Sequence, residues 1–229
     1  MRTQWQLLKA MIITVIVSLI ASIITSILYF KFSENVLYSI INNISICIFT
    51  GCIIGLIQAI IGYINSKRNA LLSFYKECIM LEKEIIRHPY MHSGFVEIDD
   101  GYKDIQLILD RFNDNYKIAW MEIYSTKHSG KVIIAAKQLY NQYCQHILPY
   151  KHMEDALCEA IRFNGQSDEL LLSKGIDIDA KTNEIQKNIE QCELNIQKQY
   201  NDDNEQKKRS HNYEVIENYL FSKKGNEKK

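Results

Sequence analysis

Two long runs of apolar residues near the start of the chain contain no charged side chain. The first run covers residues 10–30 and the second covers residues 36–64. A helix needs about 20 apolar residues to cross the hydrocarbon core of a bilayer, so each run is long enough to span it. Asn42 and Asn43 are costly at membrane depth, which moves the hydrocarbon part of the second span to residues 44–64. The sequence therefore predicts two membrane-spanning helices.

The segment between the two runs is too short to separate the helices. It comprises only residues 31–35, so we expect an antiparallel transmembrane hairpin within residues 1–65. The first run exceeds the roughly 7 to 15 apolar residues of a signal peptide, and no small-x-small cleavage site follows it before Lys31. We therefore expect a retained membrane anchor rather than a cleaved signal peptide.

Charge is distributed unevenly along the chain. Basic and acidic side chains are equal in number at 27 each, but basic ones prevail in residues 1–70 and acidic ones in residues 71–229. The apolar runs exclude a secreted soluble protein and a disordered chain. The acidic balance of the polar part argues against a nucleic-acid binder driven by positive charge. We therefore expect no nucleic-acid partner.

Basic residues flank the predicted hairpin on one side of the membrane. They precede the first run and follow the second, whereas Lys31 alone lies between the runs. The flanking residues are Arg2, Lys9, Lys67, Arg68 and Lys76. Positive flanks remain in the cytoplasm, so we expect a multi-pass protein of the inner (plasma) membrane with both termini cytoplasmic. The high content of Ile, Asn and Lys favours a bacterial source.

Small residues recur every four positions on the second predicted span. This stripe consists of Cys47, Gly51, Gly55 and Ala59 and includes a G-x-x-x-G motif. Small residues at this spacing allow two helix backbones to approach closely in a membrane. The stripe therefore predicts a packing face. It either joins the second helix to the first within one hairpin or joins protomers in a homo-oligomer.

Hydroxyl side chains form a similar stripe on the first predicted span. This stripe consists of Thr14, Ser18, Ser22 and Ser26. Such hydroxyls bond across a helix contact or back to their own backbone. If the glycine face joins protomers, the hydroxyl stripe and Gln58 form a polar membrane face along a water-filled path, because polar groups at membrane depth face protein or water. Helix packing and a polar face are therefore two alternative interpretations.

Residues 66–200 follow a helical pattern. Apolar residues alternate at spacings of three and four, which is typical of amphipathic helices with coiled-coil-like heptads. In the first block these positions are Leu71, Phe74, Cys78, Leu81 and Ile85. A second block runs without interruption from Ile98 to Ile123, and Asp179 is a candidate cap for the last long helix. The predicted fold class is all-α, a two-span transmembrane helical hairpin followed by a cytoplasmic antiparallel helical bundle.

The last part of the chain, residues 201–229, is polar and mixed in charge. Its small apolar set consists of Tyr213, Ile216, Leu220 and Phe221. Burying this small apolar surface would not offset the conformational entropy lost when the chain becomes ordered. We therefore expect a flexible tail. The alternative is a short helix docked on the bundle or on the anionic leaflet.

No motif in the polar part predicts catalysis. Ser129–Lys131 is similar to the end of a phosphate-binding loop, but Ser125 replaces its first glycine and Val132 replaces its Ser or Thr. His88 and His92 have the spacing of a helical metal pair, but a proline between them breaks the helix. The cysteines make no C-x-x-C pair. We therefore expect no enzyme, catalytic residue, metal site or cofactor.

These features favour a non-enzymatic integral membrane protein that self-associates through its transmembrane hairpin. Its cytoplasmic helical domain would act as a sensor or interaction domain, with permeabilisation of the membrane as the effector output. The expected partners are the lipid bilayer, further copies of the chain in a homo-oligomer and a cytoplasmic protein. The alternative function is a passive membrane tether or adaptor that recruits a soluble cytoplasmic partner.

Overall fold

The structure is a computed structural model that describes residues 2–32, 36–87, 98–124 and 130–222. Within these ranges every regular element is a helix, which confirms the all-α prediction. The elements are α1 (Arg2–Lys31), α2 (Val36–Arg87), α3 (Ile98–Asp110), a π-helical turn (Arg111–Tyr116), α4 (Lys117–Tyr124), α5 (Lys131–His146), α6 (Leu148–Asn164), α7 (Asp168–Ser173), α8 (Ile178–Tyr200) and α9 (Asp203–Phe221).

Two of these helices, α1 and α2, are long and apolar enough to cross a membrane. Only 6% of the most apolar window of either helix is buried, so most of its isoleucines and leucines face outward. α2 also extends well beyond its apolar part, because the second predicted span and the first polar block form one continuous helix that ends at Arg87.

The chain divides into two compact units. The first comprises Met1–Ala70 and Glu122–Thr126, and the second comprises Leu71–Met121 and Lys127–Lys229. Both Ala70 and Leu71 lie in α2. This helix therefore contributes residues to both units.

In the first unit, α1 and the apolar part of α2 contact each other in antiparallel order. Near the start of α1, the Trp5 ring packs on the Tyr63 ring with 5.5 Å between their centroids. Near the end of α1, Ser26 bonds to Asn42. A small buried cluster lies between these ends and consists of Leu8, Ala59 and Tyr63, with Trp5, Met11 and Leu56 packed against it.

In the second unit, the apolar stripe predicted at the start of the polar part is buried. Its side chains are at most 3% exposed, and they are Leu71, Phe74, Cys78, Leu81 and Ile85. Phe74 contacts the rings of Tyr116 and Trp120. In the same unit α3 packs on α6, α6 packs on α8, and α5 packs on α9. Each amphipathic helix thus buries its apolar face against a neighbour, which is the main source of its stability.

A π-helical turn, Arg111–Tyr116, joins α3 to α4. The sequence predicts one uninterrupted α-helix through this region, so the turn is a difference from the expectation. Phe112 and Tyr116 stack with their ring centroids 5.4 Å apart, and Tyr116 is fully buried. Residues four positions apart lie on nearly one face of a helix, and both rings are buried in the core.

The segment expected to be a flexible tail contains the helix α9, Asp203–Phe221. Asp202 caps this helix by accepting hydrogen bonds from the backbone N–H groups of Asn204 and Glu205. Four side chains of α9 are buried at helical spacing, namely Arg209, Asn212, Ile216 and Leu220. Two of them are polar, so a count of apolar residues underestimates the contact with α5. The segment is therefore a docked helix up to Phe221, and residues 223–229 lie outside the described part.

The N-cap of α8 lies two residues before the expected one, Asp179. Asp177 has an extended backbone and accepts a hydrogen bond of 3.0 Å from the N–H of Ala180. Asp179 lies inside the first turn, where the backbone is helical and an N-cap cannot form. Gly175 turns the chain just before the cap with a φ of +70°, a conformation that favours glycine.

Candidate functional site

The small-residue stripe of α2 divides between two environments. Ala59 is buried, and a Cβ placed on Gly55 would come within 2.5 Å of the methyl carbon of Met11 on α1. By contrast, Cys47 is exposed, and a Cβ placed on Gly51 would meet nothing within 4 Å. The second half of the stripe therefore packs against α1, whereas the first half presents its small residues to the outside.

The hydroxyl stripe of α1 divides in a similar way. Ser18 and Ser22 are buried, and Ser26 donates a hydrogen bond of 2.9 Å across to α2. Thr14 is exposed, and its hydroxyl donates to a backbone carbonyl of its own helix. Gln58 of α2 is also exposed. The five polar side chains proposed from the sequence as a membrane face therefore do not share one environment.

Helix geometry explains why both stripes divide. A step of four residues advances a side chain by about 40° around an α-helix, so three such steps rotate the stripe by about 120°. A contact with a neighbouring helix instead follows alternating steps of three and four. The less exposed side of α1 has this pattern, with Leu8, Met11, Val15, Ser18 and Ser22.

A cleft of about 520 Å³ opens in the second unit. Its walls come from α2, α5, α9 and the end of α8. Tyr75, Tyr200 and Tyr213 line it, together with two buried polar residues, His146 of α5 and Arg209 of α9. Sequence reasoning missed this cleft because its residues come from four helices that are distant along the chain and form no local motif.

The polar centre of the cleft is the contact between Arg209 and His146. Arg209 is 8% exposed and His146 is 3% exposed. Arg209 Nη1 lies 3.4 Å from His146 Nδ1, and the guanidinium lies over the Tyr143 ring at 5.9 Å from its centroid. Burial and the neighbouring guanidinium lower the pKa of His146 to about 4. His146 is therefore neutral at neutral pH, and Arg209 carries the positive charge.

Tyrosine hydroxyls connect α9 to its neighbours at this cleft. Tyr143 of α5 and Tyr213 of α9 share a hydrogen bond of 2.8 Å, and Tyr75 of α2 donates a hydrogen bond to Glu217 of α9. Burial and the bond to Glu217 raise the pKa of Tyr75 to about 12. Burial also raises the pKa of Tyr143 and of Tyr213. All three tyrosines therefore remain protonated at neutral pH.

Carboxylates from two helices also line the cleft. They are Glu82 of α2 and Glu214 and Glu217 of α9. In the part of the chain that the structure describes, neither Glu82 nor Glu214 forms an ion pair. The cleft therefore combines a buried guanidinium with several carboxylates that do not pair with it.

Other candidate groups do not converge. Among the described residues, no three His, Cys, Asp or Glu side chains are grouped as a metal site would require. His88 and His92 lie outside the described residues, as do Ser125 and Ser129 of the rejected phosphate loop. Gly130 of that loop is the N-cap of α5. In comparisons with protein-family models, curated proteins and solved structures, nothing matches the chain significantly.

Proposed function

We propose that the chain is a non-enzymatic integral membrane protein whose second unit receives a cytoplasmic signal and passes it to the membrane. In this proposal α1 and the first part of α2 cross the bilayer as a hairpin, and the second unit is a cytoplasmic helical bundle. Hairpins from several chains then associate, and the output is permeabilisation of the membrane.

The observation that carries this proposal is the continuity of α2. The helix runs from Val36 to Arg87 without a break. Its first part is apolar and exposed, and its last part contributes buried side chains such as Phe74 and Leu81 to the core of the second unit. A rigid helix that can adopt two arrangements can couple distant sites. A helix shared by both units could therefore transmit a change in the bundle to the membrane-spanning part.

The side chains near the N-terminal end of α1 support a cytoplasmic position of this end. Trp5 and Tyr63 pack together at this end, and the Lys9 ammonium lies 5.1 Å from the centre of the Trp5 ring. Lys67 and Arg68 follow on α2. Trp and Tyr are enriched at both membrane interfaces, whereas an excess of basic residues marks the cytoplasmic one, so the orientation rests on Lys9, Lys67 and Arg68. The N-terminus and the second unit would then both lie in the cytoplasm.

Gly51 supports the self-association step. It is exposed, and the space above its Cα is open. A second hairpin therefore has room to approach the α2 backbone closely at this position, as G-x-x-x-G contacts require. Gly55 is occupied by the contact with Met11, so it contributes to packing within one chain.

Expression in bacterial cells tests the proposal through the membrane potential and the entry of an impermeant dye. The wild-type chain should depolarise the membrane when its signal is present. Gly51→Ala should preserve this effect because alanine still allows close approach, whereas Gly51→Ile should remove it. An unchanged potential with well-expressed wild-type protein, under every growth condition tried, rejects permeabilisation as the output.

A passive membrane tether is the second candidate function. It is favoured by the burial of Ser18 and Ser22 and by the bond from Ser26 to α2, since these hydroxyls are not available to line a water path in the single chain. A tether predicts that cross-linking of the full-length protein in cells recovers one stoichiometric cytoplasmic partner while the membrane potential stays constant. Recovery of only further copies of the chain would count against the tether.

A further inference from the structure

Arg209 is a buried cation with no carboxylate partner among the residues that the structure describes. Arg209 is 8% exposed, and its Nη1 lies 3.4 Å from His146 Nδ1. In the described part of the chain it forms no ion pair. A buried charge is costly unless it is paired and hydrogen-bonded. Arg209 also lines the open cleft, so an anionic group entering the cleft comes next to its side chain.

The carboxylates of the same cleft are the complementary feature. Glu82 on α2 and Glu214 on α9 line it, and neither forms an ion pair within the described residues. Neither lies within the 4.0 Å of Arg209 that an ion pair requires. The cleft therefore contains one positive charge, on Arg209, and separate negative charges, on Glu82 and Glu214, that do not pair with it.

We propose that this cleft binds a small zwitterion of the amino-acid type. The ligand carboxylate pairs with Arg209, whose planar fork of N–H donors matches a carboxylate. The ligand ammonium faces Glu82 and Glu214. The zwitterion would be the signal received by the bundle, so this role depends on the proposed function, whereas the binding itself does not.

The charges of the cleft favour a zwitterion over the other ligand classes. A polyanion such as a nucleotide would be repelled by three carboxylates, from Glu82, Glu214 and Glu217. A simple cation would bring a like charge towards Arg209. The tyrosine rings of the walls supply apolar contact, and the volume of about 520 Å³ lies within the range of small-molecule pockets.

The position of the cleft links binding to α2. Glu82 belongs to the last part of α2, whereas Arg209 and Glu214 belong to α9. The Tyr75–Glu217 hydrogen bond already joins α2 to α9. A ligand that pairs with Glu82 on α2 and with Arg209 on α9 would add a second connection between these two helices. Binding would therefore stabilise one arrangement of α9 on α2.

The test uses the purified full-length protein in detergent micelles and a ligand series that varies the distance between the two charges. The series is glycine, β-alanine, γ-aminobutyrate, δ-aminovalerate and ε-aminocaproate, with hexanoate and hexylamine as single-charge controls. Isothermal titration should show saturable binding for at least one member. Both single-charge controls should bind at least about tenfold more weakly than the best zwitterion, because each loses one charge-assisted contact.

Variants assign the contacts. Arg209→Gln should abolish binding, and Arg209→Lys should weaken it because lysine keeps the charge but loses the fork. Glu82→Gln/Glu214→Gln should make the best zwitterion bind no better than hexanoate. Arg162→Gln removes an exposed arginine of α6 and should leave binding unchanged. If circular dichroism shows that Arg209→Gln does not fold, the affinity of Arg209→Lys shows whether the fork of N–H donors is needed for binding.

The outcomes separate the site from the proposed function. Failure of every zwitterion to bind the wild-type protein at millimolar concentration overturns the site, as does full binding by Arg209→Lys or binding of hexylamine equal to the best zwitterion. Binding without any effect on membrane potential in cells retains the site and rejects the receiver function. A ligand-independent depolarisation together with absent binding rejects the site alone.

Discussion

The hydroxyl of Ser26 donates a hydrogen bond of 2.9 Å to Asn42 Oδ1 and joins the end of α1 to the beginning of α2. Thr25 lies 3.5 Å from the same oxygen. At the opposite end of the helix pair, the rings of Trp5 and Tyr63 are in contact. The pairing of α1 with α2 is thus defined at both ends by specific side chains, with the small residues Gly55 and Ala59 between them.

Asn42→Ala should weaken the pairing of α1 with α2 by about 1 kcal/mol, the typical contribution of a hydrogen bond between membrane helices. Unfolding in mixed micelles, followed by Trp5 fluorescence in a Trp120→Phe background, measures the effect. In a double-mutant cycle with Ser26→Ala the two losses should not be additive. Asn43→Ala changes an exposed neighbour and is the control. Equal losses for Asn42→Ala and Asn43→Ala would contradict the contact.

Gly55→Ile should destabilise the single chain, whereas Gly51→Ile should not. A side chain on Gly55 meets the methyl end of the flexible Met11 side chain, which must shift, so overpacking should destabilise the helix pair by about 1 kcal/mol, the lower end of the usual range. A side chain on Gly51 meets nothing within 4 Å and should leave the unfolding free energy of the monomer unchanged. The same micelle titration, at protein concentrations where the chain is monomeric, compares them. A larger loss for Gly51→Ile would show that the packing face is assigned incorrectly.

Ile216→Ala should destabilise the second unit by about 2–5 kcal/mol, because it removes a fully buried side chain from the contact of α9. Hydrogen exchange of the α9 amides should accelerate in parallel. Asn218→Ala lies on the exposed side of the same helix and should have little effect. Rapid exchange of α9 amides already in the wild-type protein would mean that residues 203–221 are a flexible tail after all.

The second unit should lose stability as the pH falls from 6.5 to 4. His146 has an ordinary pKa of 6.5 when unfolded and a pKa of about 4 when folded, so the unfolded state binds more protons in this range. The full loss is about 3 kcal/mol. Of the groups that contact His146, Arg209 stays charged and Tyr143 and Tyr150 stay neutral here.

Urea unfolding followed by Trp120 fluorescence in a Trp5→Phe background measures this dependence. His146→Gln should flatten the pH profile between 6.5 and 4. His152→Gln changes an exposed histidine of α6 and should leave the profile as in the wild type. An identical profile for His146→Gln and the wild type would assign the acid sensitivity to other groups.

Periodicity along one helix predicts much of this fold. The apolar runs predicted two long apolar helices, and the stripe from Leu71 to Ile85 predicted a buried face, because both signals are local. The four-residue stripes were less informative about which residues share a contact. Cys47 and Gly51 lie outside the α1 contact while Ala59 is inside it, since a step of four residues turns gradually around the helix.

The cleft could not be predicted in the same way. Arg209 appears in the sequence as part of a short basic run on a polar segment, and its burial depends on the contact of α9 with α5. His146 and Glu82 are isolated residues in helices far from it along the chain. Such a site arises only when separate helices pack, so spacing within any one helix carries no signal of it.

Fusions of alkaline phosphatase and green fluorescent protein test most directly whether two spans place both ends of the chain in the cytoplasm. The phosphatase should be active when fused after residue 34 and inactive when fused after residue 222. The fluorescent protein should give the reverse result, and both fusions should remain in the membrane fraction after carbonate extraction. Phosphatase activity at residue 222, or release of the protein by carbonate, would contradict the two-span arrangement and the receiver function built on it.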